Sequence, residues 1–135
     1  MSAEAEYVRR ERDSILQTLD LVDDLVGKAA RSQYETIALG KLLQDVYTGT
    51  ERILRTVVEG RGVSIEKGEG WHKALLLAAK KLDIINDDEF EAFRKLLLFR
   101  HVQVHGYGVM LEEKRLIEIA GETIVCCRSF LDAVV

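Results

Sequence analysis

Phe90-Glu91-Ala92-Phe93-Arg94-Lys95-Leu96-Leu97-Leu98-Phe99-Arg100-His101-Val102-Gln103-Val104-His105-Gly106-Tyr107 is the stretch on which the fold turns. Its first half, with Phe90, Phe93, Leu96, Leu97, Leu98 and Phe99, reads as a buried helix. Its second half places a guanidinium, two imidazoles and a phenol directly after that apolar run, so the polar groups are carried by a rigid scaffold. The spacing is Arg100, four residues, His105, one residue, Tyr107. Gly106 and Gly108 favour a left-handed exit, which ends the helix near His105 and puts Tyr107 just past it.

The rest of the chain supplies partners for such a helix. Val8, Ile15, Leu19, Val22 and Val26 recur at intervals of seven, four, three and four, which predicts a helix from about Glu4 to Arg31 that buries one side. After a polar break at Ser32-Gln33, the residues Leu39, Leu43, Val46, Ile53 or Leu54, and Val57 continue the period to about Glu59, completing an antiparallel hairpin. Gly60, Gly62, Gly68 and Gly70 bracket the main loop. Trp71 opens a shorter helix through Lys81 or Leu82, with Ala74, Leu75, Ala78 and Leu82 as its expected inner face. Asn86 and Glu89 have the form of a capping box at the start of the motif-bearing helix. A last helix from about Glu112 to Ala133 offers Leu116, Ile119, Ile124, Phe130 and Leu131 to the core.

Composition agrees with this pattern. The chain has 135 residues, 47% hydrophobic and 31% charged, and contains no proline, which suits long uninterrupted helices. An all-α antiparallel bundle of four to five helices, one domain over residues 1–135, is the expectation. No apolar run is long enough to cross a bilayer, and Met1 to Glu6 lacks the basic start and apolar core of a secretory signal, so a cytoplasmic location is expected with no membrane partner. Cys126 and Cys127 are adjacent, which strains a mutual disulfide and forms no CxxC metal hook; both read as reduced packing residues.

A net charge of -4 excludes attraction of nucleic acid by the protein as a whole. Between Arg94 and Arg115, however, five Lys or Arg face two acids, so the motif lies in the basic part of an acidic protein. A guanidinium binds phosphate in bidentate fashion and keeps its proton, while an imidazole near neutrality serves as base or acid. Arg100 and His105 therefore suit phosphate chemistry. A five-residue step on a helix turns roughly 140°, so the two do not share a face of one straight helix. Either the chain unwinds before Gly106, or two copies of the motif meet across a two-fold axis.

At this point the chain resembles the HEPN superfamily, and within it the HepT-like toxin ribonucleases whose motif has the same spacing. Helix count, the glycine loop and Trp71-His72 before a Leu/Ala-rich helix carry the likeness beyond the motif. The resemblance implies a HEPN-like bundle, a homodimer with both motifs in one cleft, and metal-independent cleavage of RNA rather than DNA, with no cofactor. It implies that Arg100 holds the scissile phosphate, that His105 activates the 2′-hydroxyl, and that a cognate minimal nucleotidyltransferase antitoxin attaches AMP to Tyr107. Tyr107 also suits substrate orientation or stacking on a base. His101 stands where many relatives have Asn; it assists as a second acid, bonds the backbone, or is neutral. The same bundle also serves elsewhere as a non-catalytic, substrate-holding partner of a nucleotidyltransferase, which is the rival reading.

Other candidates read more plainly. His101 and His105 have the spacing of a helical metal pair but lack a third ligand, so no metal is expected. Tyr47 and Glu51 share a helix face that could reach the motif, though such a pair is ordinarily packing. Trp71 reads as a core anchor at the loop exit rather than a base-stacking platform, and His72 as a helix-start cap or a solvent-facing residue.

Overall fold

The computed structural model describes residues 2–104 and 113–134, with residues 100–104 described by backbone alone. Five helices lie among the described residues: α1 (Ala3–Val26), α2 (Gln33–Gly60), α3 (Trp71–Lys81), α4 (Asp87–Val104) and α5 (Glu113–Val134). No strand lies among them, and the five helices form an all-α bundle.

Four of the helix starts have a local cause on view. The Ser2 hydroxyl accepts from the Ala5 amide at α1, and at α2 Ser32 and Glu35 cap each other's backbone N–H groups. The Asn86/Glu89 capping box expected at α4 is present: the Glu89 amide donates to Asn86 Oδ1 at 2.7 Å and the Asn86 amide donates to Glu89 Oε1 at 2.8 Å. Before α3 the turn is made by Gly70, whose φ of +76° a side chain would resist.

Lateral contacts fix the directions. Glu11 pairs with Arg52 at 3.6 Å and Ile15 touches Gly49, so α1 and α2 run antiparallel. Arg12 Nε donates to the Leu131 carbonyl at 3.1 Å, Arg128 meets Asp20 and Asp23 at 3.1 and 2.6 Å, and Arg31 meets Glu113 at 2.7 Å. That descending order makes α5 antiparallel to α1. Lys95 reaches Glu122 at 3.1 Å while Cys126 lies beside the Asp88 carbonyl, so α4 and α5 are antiparallel too. The core between them includes Leu19, Leu43, Leu54, Leu75, Phe93 and Phe130, with Phe93 and Phe130 edge to face at 5.7 Å.

Three details depart from the pattern read in the sequence. α1 stops at Val26 rather than near Arg31, because Arg31 turns back and donates to the carbonyls of Leu25 and Lys28, both at 2.8 Å, which satisfies the helix end. α3 buries Leu75, Leu76 and Ala79 and leaves Ala74 exposed, with Ala78 and Leu82 half-buried. Turning Leu76 inward removes more apolar area from water than turning Ala74 inward. In α4, Leu98 is exposed: Phe93, Leu96 and Phe99 already occupy the inner stripe, and Leu98 falls about 200° from Leu96 around the helix.

Candidate functional site

The motif begins on a braced helix. Three acids, Asp87, Asp88 and Glu89, occupy the first turn of α4, where the helix dipole favours negative charge, and Phe93, Leu96 and Phe99 lock its rotation against the core. Arg100 and His101 fall within the helical backbone of α4. Arg100 comes seven residues after Phe93 and four after Leu96, so its position continues the register of the inner stripe. His105 and Tyr107, with the glycine exit at Gly106 and Gly108, lie outside the described residues.

The far side of that segment is also held. Glu113, the first residue of α5, is paired to Arg31, whose side chain is only 8% exposed and is bonded to the end of α1 as well. The α1–α2 turn and the start of α5 are thereby tied together. Lys28 and Glu35 add an ion pair across the same turn, and it lowers the Glu35 carboxyl below its usual range.

A second polar constellation is assembled from α2 and α3. The Tyr47 hydroxyl donates to Glu51 Oε2 at 2.8 Å, and His72 Nδ1 lies 2.6 Å from the same oxygen. Tyr47 is buried, the Glu51 side chain is 11% exposed and that of His72 27%, so water competes little for these bonds. With Nδ1 committed to the carboxylate, Nε2 is the ring nitrogen left for another partner. The His72 ring also lies against Trp71, with centroids 3.9 Å apart and planes tilted by 32°. Arg55 and Lys67 stand over the Trp71 ring at 5.5 and 5.6 Å from its centroid, and Arg55 pairs with Glu59 at 2.9 Å.

Sequence reasoning missed His72. It assigned the residue to a cap or to solvent, whereas the ring is the inner partner of a buried acid. The available signal was Glu51 itself: it sits at a core register of α2 between Tyr47 and Leu54, where a carboxylate requires a hydrogen-bonding partner. The two cysteines are free. Burial first, then the carboxylates of Glu89, Asp88 and Glu122, raises the Cys126 thiol. Burial pushes the Cys127 thiol up to about 11, against a smaller opposing effect of the Thr50 hydroxyl 3.5 Å away, so neither is prepared as a nucleophile.

The described residues form an all-α bundle of five helices, and the run from Arg100 to Tyr107 begins on the fourth. The family model described as HepT-like protein matches residues 38–134, from early α2 to the last turn of α5, and the chain belongs to that family. The matched span contains the whole motif and also Tyr47, Glu51, Trp71 and His72. No curated protein and no solved structure matches the chain. No helix among the described residues is long and apolar enough to cross a membrane.

Proposed function

We propose that this HepT-like protein is a metal-independent endoribonuclease toxin. The observation that carries the reading is the sequence order Arg100, His105, Tyr107, begun on the core-locked helix α4 and lying inside the span that matches the family. His105 takes the proton of an RNA 2′-hydroxyl, and the 2′-oxygen then attacks the adjacent phosphorus. Arg100 holds the phosphate oxygens in bidentate fashion and offsets the charge that builds on them. The 5′-oxygen leaves with the proton that His105 has taken up, giving a 2′,3′-cyclic phosphate and a 5′-hydroxyl without a metal or another cofactor. His101, one residue from Arg100, is an auxiliary group at the same site.

The chain acts as one HEPN-like domain in a cytoplasmic homodimer, which brings two motifs to one cleft and doubles the local positive charge. A cognate nucleotidyltransferase silences it by joining adenylate to the Tyr107 phenol, placing negative charge where substrate phosphate must bind. Total RNA and transfer RNA incubated with the purified protein in EDTA test the activity. Cutting by the parent that is lost in Arg100→Ala supports the enzyme. Absence of cutting by either favours a non-catalytic, substrate-holding partner of a nucleotidyltransferase.

A further inference from the structure

The reaction just described assigns no role to the Trp71 constellation, yet it is built more elaborately than a loop anchor requires. Trp71 is only half-buried. Its neighbour His72 is held rigidly through Glu51, which is held in turn by Tyr47, so the two stacked rings are fixed before any ligand arrives. Two cations from different parts of the chain, Arg55 on α2 and Lys67 in the glycine loop, converge on the indole. The glycine loop is pinned at its end: the Trp71 amide donates to the Gly68 carbonyl at 3.2 Å, and Gly70 takes the left-handed turn that starts α3.

We propose that Trp71, His72, Arg55 and Lys67 form a subsite for single-stranded RNA, taking one base against the indole and an adjacent phosphate on the two cations. The proposal rests on the ribonuclease reading for its choice of ligand. A cation over an aromatic ring is exchangeable: a nucleobase offers the ring a stacking partner, and its phosphate offers the displaced cation an anion. Preorganised rings lose little freedom on binding, which favours such an exchange. The imidazole adds a donor or acceptor at Nε2 for a base edge or a phosphate oxygen. The structure thus pairs stacking surface with positive charge in a protein whose net charge, -4, supplies no general attraction for RNA.

Trp71 is the sole tryptophan, so its fluorescence reports on this place alone. The test uses full-length protein carrying Arg100→Ala and a short single-stranded RNA with 2′-O-methyl groups, which cannot be cut. Saturable quenching of Trp71 is expected, with affinity weakened about tenfold by Lys67→Ala, an exposed loop substitution that leaves the core intact. Trp71→Ala, followed by anisotropy of labelled RNA, is expected to weaken binding to a similar extent, and Trp71→Phe to retain most of it. RNA binding without a change in Trp71 fluorescence overturns the subsite, as does an unchanged affinity in Lys67→Ala or no binding at all. Equal quenching by inorganic polyphosphate, which has no bases, overturns the stacking. RNA cutting by the unsubstituted protein is scored separately, so loss of the subsite and loss of the ribonuclease reading are told apart.

Discussion

His72 Nδ1 lies 2.6 Å from Glu51 Oε2, joining α3 to α2 through a carboxylate that also accepts the Tyr47 hydroxyl at 2.8 Å. One buried oxygen thus orients two polar side chains from different helices.

Removing that oxygen leaves polar groups facing an apolar void. Glu51→Ala is expected to destabilise the fold by about 2–4 kcal/mol, and Glu51→Gln, which keeps an acceptor of the same shape, by about 1 kcal/mol. Urea denaturation followed by helical circular dichroism measures both. Equal, negligible losses would show that the network contributes nothing to stability.

The contact between α1 and α2 depends on the missing side chain of Gly49. A Cβ there would stand 2.7 Å from Ile15 Cγ1, whereas a Cβ at Gly121 on α5 meets nothing within 4 Å. Gly49→Ala is expected to cost about 1–2 kcal/mol, since overpacking exceeds the gain in helix propensity; Gly121→Ala has only that gain, up to about 1 kcal/mol. Opposite shifts of the thermal midpoint are the readout.

The motif helix depends on its cap. Asn86→Ala, which leaves the Glu89 amide without its acceptor, is expected to cost about 1 kcal/mol, and Asn86→Ser to recover most of it. A urea midpoint for Asn86→Ala indistinguishable from the parent would remove the cap from the account.

Alkaline pH probes Cys127. Burial raises this thiol from 9.0 to about 11, so the fold favours the protonated form and the unfolded chain releases its proton first. The folded state binds more proton between those values, and stability therefore falls as pH rises from about 9 to about 11, by about 2 kcal/mol from this group. The check compares urea midpoints of the parent and Cys127→Ala across that window under reducing conditions. The stability gap between the two must narrow as pH rises; a constant gap contradicts the assignment.

Periodicity carries most of the fold. Val8, Ile15, Leu19 and Val22 on α1, and Leu39, Leu43 and Val46 on α2, are buried as their spacing requires, and the Asn86/Glu89 box marks the start of α4. Where the pattern is ambiguous, other forces decide. Leu75, Leu76 and Leu77 run consecutively, so spacing alone does not orient α3, and packing against α2 and α4 selects Leu75, Leu76 and Ala79. The end of α1 is set by Arg31 reaching backward, a side-chain choice that no apolar stripe encodes.

The candidate groups divide in the same way. Arg100, His105 and Tyr107 are proposed from the sequence because all three belong to one short run, which falls inside the matched span. Glu51 and His72 are 21 residues apart on separate helices, and only the packing of α3 on α2 brings them together. Trp71 gains its cations by that same packing, Arg55 from α2 and Lys67 from the loop.

Cleavage of transfer RNA in EDTA by the parent, Arg100→Ala and His105→Ala proteins, with the new ends identified, tests the central claim most directly. The account expects cutting by the parent that leaves 2′,3′-cyclic phosphates, and a loss of about a hundredfold or more in each variant. Cutting by His105→Ala at the parent's rate, with contaminating nuclease excluded, would contradict it.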